Sequence, residues 1–358
     1  MSKKMGKHEG KQPCCCSCSP AEQPSCDCGT EMPSPPEIRN TGGSLTWADR
    51  FDHIAARWGY RRMHHRVEPG LYRLGSPSPD SPVFASANYT LSFDALRSSL
   101  AGTDCFILVL DTKGINVWCA AGKGTFGTDE LVFRIAVTRL SDVVRHRTII
   151  VPQLGAPGIA AHEVLRRSGF CVQYGPVRAS DLPEYLATGT ATPEMRRVRF
   201  PFRDRIVLIP VELVQALPLT LIAAVLLGAF IDMGAALRVI AAVGAGTVLF
   251  PALLPVLPTK DFTTKGLFLG VLAMLPFAAL DLSAPAAGTL AYLQAAAGLL
   301  LFPAITAYLA LNFTGCTPYT SRSGVRREIF RYTKPLAGMA LGGIALAAIL
   351  GIVMVVNG

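Results

Sequence analysis

An α/β domain of Rossmann-like type, followed by an all-α transmembrane domain of five helices, is the fold class the sequence predicts. Three observations predict it. Half of the 358 residues are hydrophobic and the mean hydropathy is +0.36, too apolar for an ordinary water-soluble chain of this length. From Ile206 onward the apolar residues gather in nearly uncharged runs of about 20 residues, the length of helix that crosses about 30 Å of hydrocarbon. Residues 1–205 hold most of the charge, and within them short apolar runs alternate with helical patterns, which is the signature of βαβ units.

Residues 1–40 place Cys14, Cys15, Cys16, Cys18, Cys26 and Cys28 among Lys, Ser, Gly and Pro, with too little apolar surface to offset the entropy of folding. A flexible tail is expected there, without the apolar centre of a signal peptide. The spacing CCCSC then CDC matches neither a zinc finger nor a ferredoxin. It leaves open a loose soft-metal grip or incidental thiols. Residues 41–200 form the α/β domain. In it Trp47, Phe51, Ile54 and Trp58 recur at helical spacing in an amphipathic stretch that stops before Gly59. The stretch SPVFASANYTLSFDAL leads into a first buried strand at 105–111; TIIVP at 148–152 and FCVQYG at 170–175 are the second and third. Helical patterns occupy 129–140, 159–169 and 180–189. A parallel sheet covered on both faces follows, with the loops after Leu110, Val151 and Tyr174 around one candidate site at the carboxyl ends of its strands.

Residues 201–358 are the membrane domain, with spans expected at about 206–230, 235–256, 266–283, 288–311 and 336–356. RRVRFPFRDR precedes the first span, Lys260 and Lys265 lie in the second loop, and Arg322, Arg326, Arg327, Arg331 and Lys334 lie in the fourth. The first and third loops carry no Lys or Arg. The positive-inside rule then puts the protein in the cell inner (cytoplasmic) membrane as a multi-pass protein, its soluble domain cytoplasmic and its C-terminus outside. In that compartment the ten cysteines are thiols rather than disulfides. The net charge of +9 concentrates beside the membrane and reads as a partner for anionic lipid, not for nucleic acid.

The loop after the first buried strand, DTKGINVWCAAGKGTFGTDE at 111–130, carries the chemistry. Asn116 is a natural N-cap; Val117, Trp118 and Cys119 then form a first helical turn, with Ala120 and Ala121 behind them and Gly122 ending it. Cys119 would stand at a helix N-terminus near Lys113 and Lys123, which favours thiolate over thiol. Ala120, Ala121 and Gly122 would keep the surface beside the sulfur low enough for a large flat ligand. The bland alternative, a buried structural cysteine, suits Cys105 and Cys171 inside apolar strands. Gly122, Gly124 and Gly127 spell GxGxxG, but the match starts too far beyond the strand for dinucleotide binding, and Gly122 with Lys123 lacks the upstream glycine of a phosphate loop.

INVWCAAGK at 115–123 resembles the cap helix of the mercury-methylating corrinoid protein family, HgcA. PGLYRLG, SPVFASANYTLSFD, VPQLGAPG and YGPVRASDLPEYL are similar to the corrinoid-binding domain of the large subunit of corrinoid iron–sulfur proteins, over about residues 66–190. The resemblance implies a base-off, cobalamin-type corrinoid whose cobalt takes Cys119 thiolate as its lower axial ligand. Asn116, Val117, Trp118, Cys119, Ala120, Ala121, Gly122 and Lys123 would cap the lower face, and Gln153–Gly158 would reach the macrocycle edge. It also implies transfer of a methyl group from cobalt to inorganic Hg(II), forming methylmercury. A methyl-tetrahydrofolate-linked methyltransferase would be the methyl donor, and a ferredoxin-like iron–sulfur protein the electron donor and carrier of Hg(II). The DxHxxG pattern of histidine-ligated cobalt is absent; His64 and His65 fall in a basic surface stretch, and His146 and His162 read as solvated or structural.

Two rivals stay open on sequence. One keeps the corrinoid but serves another acceptor in one-carbon metabolism. The other makes the chain a soft-metal transporter or sensor, against which the spans carry no Cys or His and few ionisable residues, chiefly Glu212, Asp232, Arg238 and Asp281.

Overall fold

Apolar stretches bounded by turn residues become the central strands of a six-stranded sheet. The computed structural model describes residues 37–61, 64–283, 288–314 and 322–357; the cysteines from Cys14 to Cys28 lie outside them. In chain order the first half contains β1 (Ile38–Thr41), α1 (Trp47–Arg57), β2 (Gly70–Leu74), β3 (Val83–Ala87), α2 (Thr90–Ser99), β4 (Cys105–Leu110), α3 (Val117–Lys123), α4 (Thr128–Val137), α5 (Leu140–Val143), β5 (Thr148–Val151), α6 (Ala161–Ser168), β6 (Cys171–Tyr174) and α7 (Leu182–Thr188).

The strand order is β1-β2-β4-β3-β5-β6. All neighbouring pairs are parallel except β2 with β4, where Leu71 opposes Leu108 and Tyr72 opposes Ile107 in an antiparallel register. The sheet is thus mixed, with the three expected strands as β4, β5 and β6 and three more beside them. β1 takes Ile38–Asn40 out of the segment read as a tail. β3 is the run VFASA, buried at every position, a strand of its own rather than a lead into β4. Both faces of the sheet are covered. On one, α3, α4 and α6 pack Ala120, Leu131 and Val164 over Leu108, Leu110 and Val151; on the other, α2 and α7 pack Phe93, Leu96, Leu182 and Tyr185 over Phe84, Ile107 and Ile150. β6 is an edge strand, so Cys171 is exposed rather than buried as expected. Cys105 is buried, and loss of solvent followed by the charge of Asp104 pushes its thiol up to about 12.

The chain leaves β3 through α2 to reach β4 on one side, then leaves β4 through α3 and α4 to reach β5 on the other side of β3. The connections diverge between β3 and β5, which share a single register pair, Phe84 with Ile150. Such a divergence opens a crevice at the carboxyl ends of the strands.

The second half is helical: α8 (Phe202–Ile206), α9 (Ile209–Phe230), α10 (Met233–Gly244) continued by a π-helical turn (Ala245–Leu249) into α11 (Phe250–Leu253), α12 (Phe262–Ser283), α13 (Thr289–Phe313) and α14 (Arg322–Asn357). Among the described residues, five helical stretches are long and apolar enough to cross a membrane: Phe202–Phe230, Met233–Leu253, Phe262–Ser283, Thr289–Phe313 and Ser323–Val356. The last starts well before residue 336. Arg326, Arg327, Arg331 and Lys334, expected in a loop, lie instead on the first turns of α14. Small residues let the helices meet closely: a Cβ added at Gly266 would fall 2.4 Å from Ala310 Cβ, and one at Gly270 would fall 2.7 Å from Pro303 Cα. Arg238 and Asp281 pair at 2.5 Å, which keeps two charges of the helical half from being unpartnered.

Candidate functional site

A cavity of about 330 Å³ opens where β3 and β5 part. Its floor is Phe84, Ala85 and Ser86 of β3 with Ile150 of β5; Leu91, Ser92 and Ala95 of α2 form one wall. Asn116, Val117, Trp118 and Cys119 form another, and Pro152, Leu154 and Gly175–Ala179 close the third side. The loops after β4, β5 and β6 converge there, as the strand assignment predicts. The wall from β3 and α2 is an addition to the expected loops. The signal for it is the apolar run Val83–Ala87 between Pro82 and Asn88, the pattern of a buried strand.

The segment from β4 to α3 is held from two sides. Asn88, at the end of β3 and 2% exposed, accepts at Oδ1 from the backbone N–H of Thr112 (3.1 Å) and of Gly114 (3.0 Å). Its Nδ2 donates to Asp111 Oδ1 at 3.2 Å. The Thr112 hydroxyl, fully buried, lies 2.9 Å from the same Asn88 oxygen and 2.7 Å from the carbonyl of Ile115. From α4, Glu130 Oε1 accepts the Asp111 N–H at 2.8 Å. Lys113 and Gly114 turn the chain through left-handed conformations at φ 60° and 72°, and the turn delivers Asn116 in extended conformation at the start of α3. Asn116 Oδ1 then accepts the backbone N–H of Cys119 at 2.9 Å, satisfying one of the free donors of the first turn. Asn88 is therefore a positioning residue that spacing alone did not reveal.

Cys119 is half-buried and lines the cavity with Asn116, Val117 and Trp118. Of the other residues expected to cap the ligand, Ala120 and Ala121 are buried in the core on the far side of α3. Their small size serves packing instead of ligand access: a Cβ on Gly158 would stand 3.1 Å from Ala121 Cα. Gly122 and Lys123 do not line the cavity, and α3 runs through Lys123 to a left-handed Gly124 (φ 86°) rather than ending at Gly122. Lys113 pairs with Asp111. Burial raises that carboxyl, but the hydrogen bonds and charge of Lys113 outweigh it and hold Asp111 below the usual carboxylate range. The Lys113 ammonium is thus engaged with Asp111. Gly124 caps α3 and Gly127 stands at the N-cap of α4, so the GxGxxG match is two helix ends, not a phosphate cradle.

Of Gln153–Gly158, Leu154 reaches the cavity; Gln153 accepts from Arg196 at 2.7 Å. Gly155 and Gly158 pack against Phe126. His65 is 5% exposed, held by Asp52 and by the carbonyl of Tyr60, and not on the surface as expected. His146 lies 2.9 Å from the carbonyl of Ser81, while His162 is exposed. Among the described residues the cavity is lined by one sulfur and no histidine, and no group of three or more His, Cys, Asp or Glu is placed to hold a metal ion.

Comparison with known proteins adds a lineage to this geometry. Residues 60–184 match the family model of the CO dehydrogenase/acetyl-CoA synthase delta subunit. The acetyl-CoA decarbonylase/synthase complex subunit gamma of Methanopyrus kandleri is 35% identical over 127 residues, which are 35% of this chain and 27% of that protein. The subunits gamma of Methanosarcina acetivorans and Archaeoglobus fulgidus are each 32% identical, over 124 and 123 residues, covering 34% of this chain and 26% of theirs. The chain spans about a quarter of the length of these relatives. The cavity, α3 and every strand except β1 fall within the matched segment, so residues 60–184 are similar to that family where the candidate site lies, and this segment followed by five apolar helices fits an HgcA-like architecture.

Proposed function

We propose that the chain is a corrinoid-dependent methyl carrier and methyltransferase, with inorganic Hg(II) as the methyl acceptor and methylmercury as the product. The observation that carries the reading is Cys119, the one sulfur among the described residues that line the mostly apolar crevice between β3 and β5. The residues fit a base-off corrinoid: one soft donor, no competing histidine, and small side chains at Ala85, Ser86, Ala95 and Gly175 where a flat ring would need clearance.

When bound, the corrinoid supplies a cobalt centre that accepts and releases a methyl group. Cys119 would hold the cobalt through its thiolate, in a first turn fixed by the Asn116 cap. A thiolate is a strong electron donor, which suits delivery of methyl to an electrophilic soft metal. Trp118 and Val117 stand beside Cys119 in α3, and Leu154 lines the same cavity. Asn88 and Glu130 hold the turn so that the thiolate keeps its position through each cycle. A ferredoxin-like iron–sulfur protein as reductant and Hg(II) carrier, and a methyl-tetrahydrofolate-linked methyltransferase as methyl donor, complete the proposed cycle. The basic residues around Lys260, Lys265 and the start of α14 support a cytoplasmic α/β domain and an outside C-terminus.

A second reading has the same corrinoid domain serve another acceptor in one-carbon metabolism; the acetyl-CoA decarbonylase/synthase subunits among its relatives favour it. The test is the visible absorption spectrum of the detergent-solubilised full chain loaded with a corrinoid, for the native sequence and Cys119→Ala, followed by methylation assays with Hg(II) and with other thiolate-bound metals. Binding with a spectrum that changes on loss of the sulfur, and methylmercury formation lost with it, supports the proposal. Binding with no change in spectrum sinks the axial role of Cys119, and activity confined to other acceptors selects the second reading.

A further inference from the structure

Helix α1 is amphipathic the wrong way round for a helix packed on a soluble domain. Its inward face is polar: Asp49 pairs with Arg97 at 2.7 Å, His53 lies 2.7 Å from Asp94, and Asp52 lies 2.7 Å from His65. Its outward face is apolar. Trp47, Phe51, Ile54 and Trp58, one stripe at helical spacing, are 75%, 67%, 53% and 50% exposed. Arg50, Arg57 and Arg61 are exposed beside it, with Arg50 over the Trp47 ring and Arg61 over the Tyr60 ring. Both acids of the helix's first two turns, Asp49 and Asp52, are engaged on the inward side.

Two exposed tryptophans, a phenylalanine and an isoleucine bordered by arginines match a helix lying in the plane of a membrane surface. The position of α1 supplies that surface. A Cβ on Gly59, just past the helix, would stand 3.7 Å from Val211 Cγ2, and Val211 is in the first turn of α9, within the first span. The end of the stripe therefore meets the chain at its entry into the lipid.

We propose that α1 is an interfacial membrane-docking helix, which seats the Trp47–Phe51–Ile54–Trp58 face among the acyl chains beneath anionic headgroups and presses the α/β domain against the bilayer. The arginines then lie at the level of the lipid phosphates. The proposal needs the spans to be in a bilayer and is independent of the corrinoid reading.

The full chain reconstituted in phosphatidylcholine–phosphatidylglycerol vesicles and in single-copy nanodiscs tests it through its three tryptophans, Trp47, Trp58 and Trp118. Lipid brominated near the headgroup should remove most of the Trp47 and Trp58 emission, obtained as the difference between the native chain and a W47F/W58F variant, while aqueous iodide leaves it intact. F51E/I54E retains both tryptophans and the inward polar pairs, and should transfer the quenching from bromolipid to iodide with the helical circular dichroism unchanged. Iodide quenching of the native chain, or protection from both quenchers, would overturn the proposal; the second result would assign the face to a protein surface instead.

Discussion

Arg178, on the wall of the cavity, pairs with Asp204 in α8, the short helix that leads into the first span, and also donates to the carbonyl of Arg199 at 3.2 Å. One side chain thus belongs both to the candidate site and to the entry of the chain into the membrane.

Arg178→Ala should therefore loosen the junction more than it destabilises the domain. Both partners are more than a third exposed, and pairs of that kind contribute less than about 1 kcal/mol. The expected result is a near-native unfolding midpoint with faster proteolysis between residues 190 and 201. An unchanged cleavage rate would show that the pair does not tie the two segments.

Asn116→Ala removes the acceptor for the Cys119 N–H and should cost about 1 kcal/mol. Asn116→Asp keeps an acceptor and should restore most of it. Hydrogen exchange at the Cys119 amide is the direct readout: it should accelerate in the Ala variant and return toward native in the Asp variant.

Two glycines of the same region should respond in opposite directions. A Cβ on Gly158 would fall 2.2 Å from the carbonyl oxygen of Phe126, a backbone atom, so Gly158→Ala should destabilise by roughly 1–3 kcal/mol and displace α3. Gly122 lies inside α3 with nothing within 4 Å of its would-be Cβ, so Gly122→Ala should stabilise by about 0.5–1 kcal/mol. Equilibrium unfolding of the two variants measures both, and a common sign would contradict the packing described for α3.

Arg97 is 7% exposed and joins Asp94, Asp49 and the carbonyls of Gly42 and Ser44. Arg97→Ala, which leaves two carboxylates without their cation, should cost about 3 kcal/mol or more. The same cluster predicts an acid response. Burial raises the Asp49 carboxyl, but hydrogen bonds from the Thr46 backbone and from Arg97 outweigh it, so its pKa is lower in the folded protein than unfolded. Its stabilisation is complete above the ordinary carboxylate range and is lost as pH falls through the lowered value. Asp49→Asn should flatten the acid limb of stability against pH; a limb as steep as native would place the titrating group elsewhere.

Much of this molecule is legible one segment at a time. The run CFILVL is β4 because six successive apolar residues suit a strand buried on both faces, and Asn116 starts α3 because its short side chain reaches the N–H three residues on. β1 and β3 are less legible: β1 is four residues with only partial burial, and β3 is rich in Ala and Ser, composition that carries little strand propensity. The burial of His65 and the exposure of Cys171 follow from tertiary placement: His65 packs against Asp52 of α1, and Cys171 lies on the edge strand β6.

By itself the sequence determined the division into a charged α/β half and an apolar helical half, the number and order of the five apolar helices, and Cys119 at the start of a short capped helix, because hydropathy, periodicity and capping are properties of neighbours along the chain. Tertiary structure alone decided that β3 and α2 form the other wall of the cavity, that Ala120 and Ala121 turn into the core while Cys119 faces the crevice, and that α1 directs its aromatic stripe outward. Those outcomes rest on strand order and on the polar pairs of Asp49, His53 and Asp52 with residues 13 to 48 positions away. Contacts at such separations follow from the packing of the whole sheet, which no local pattern encodes.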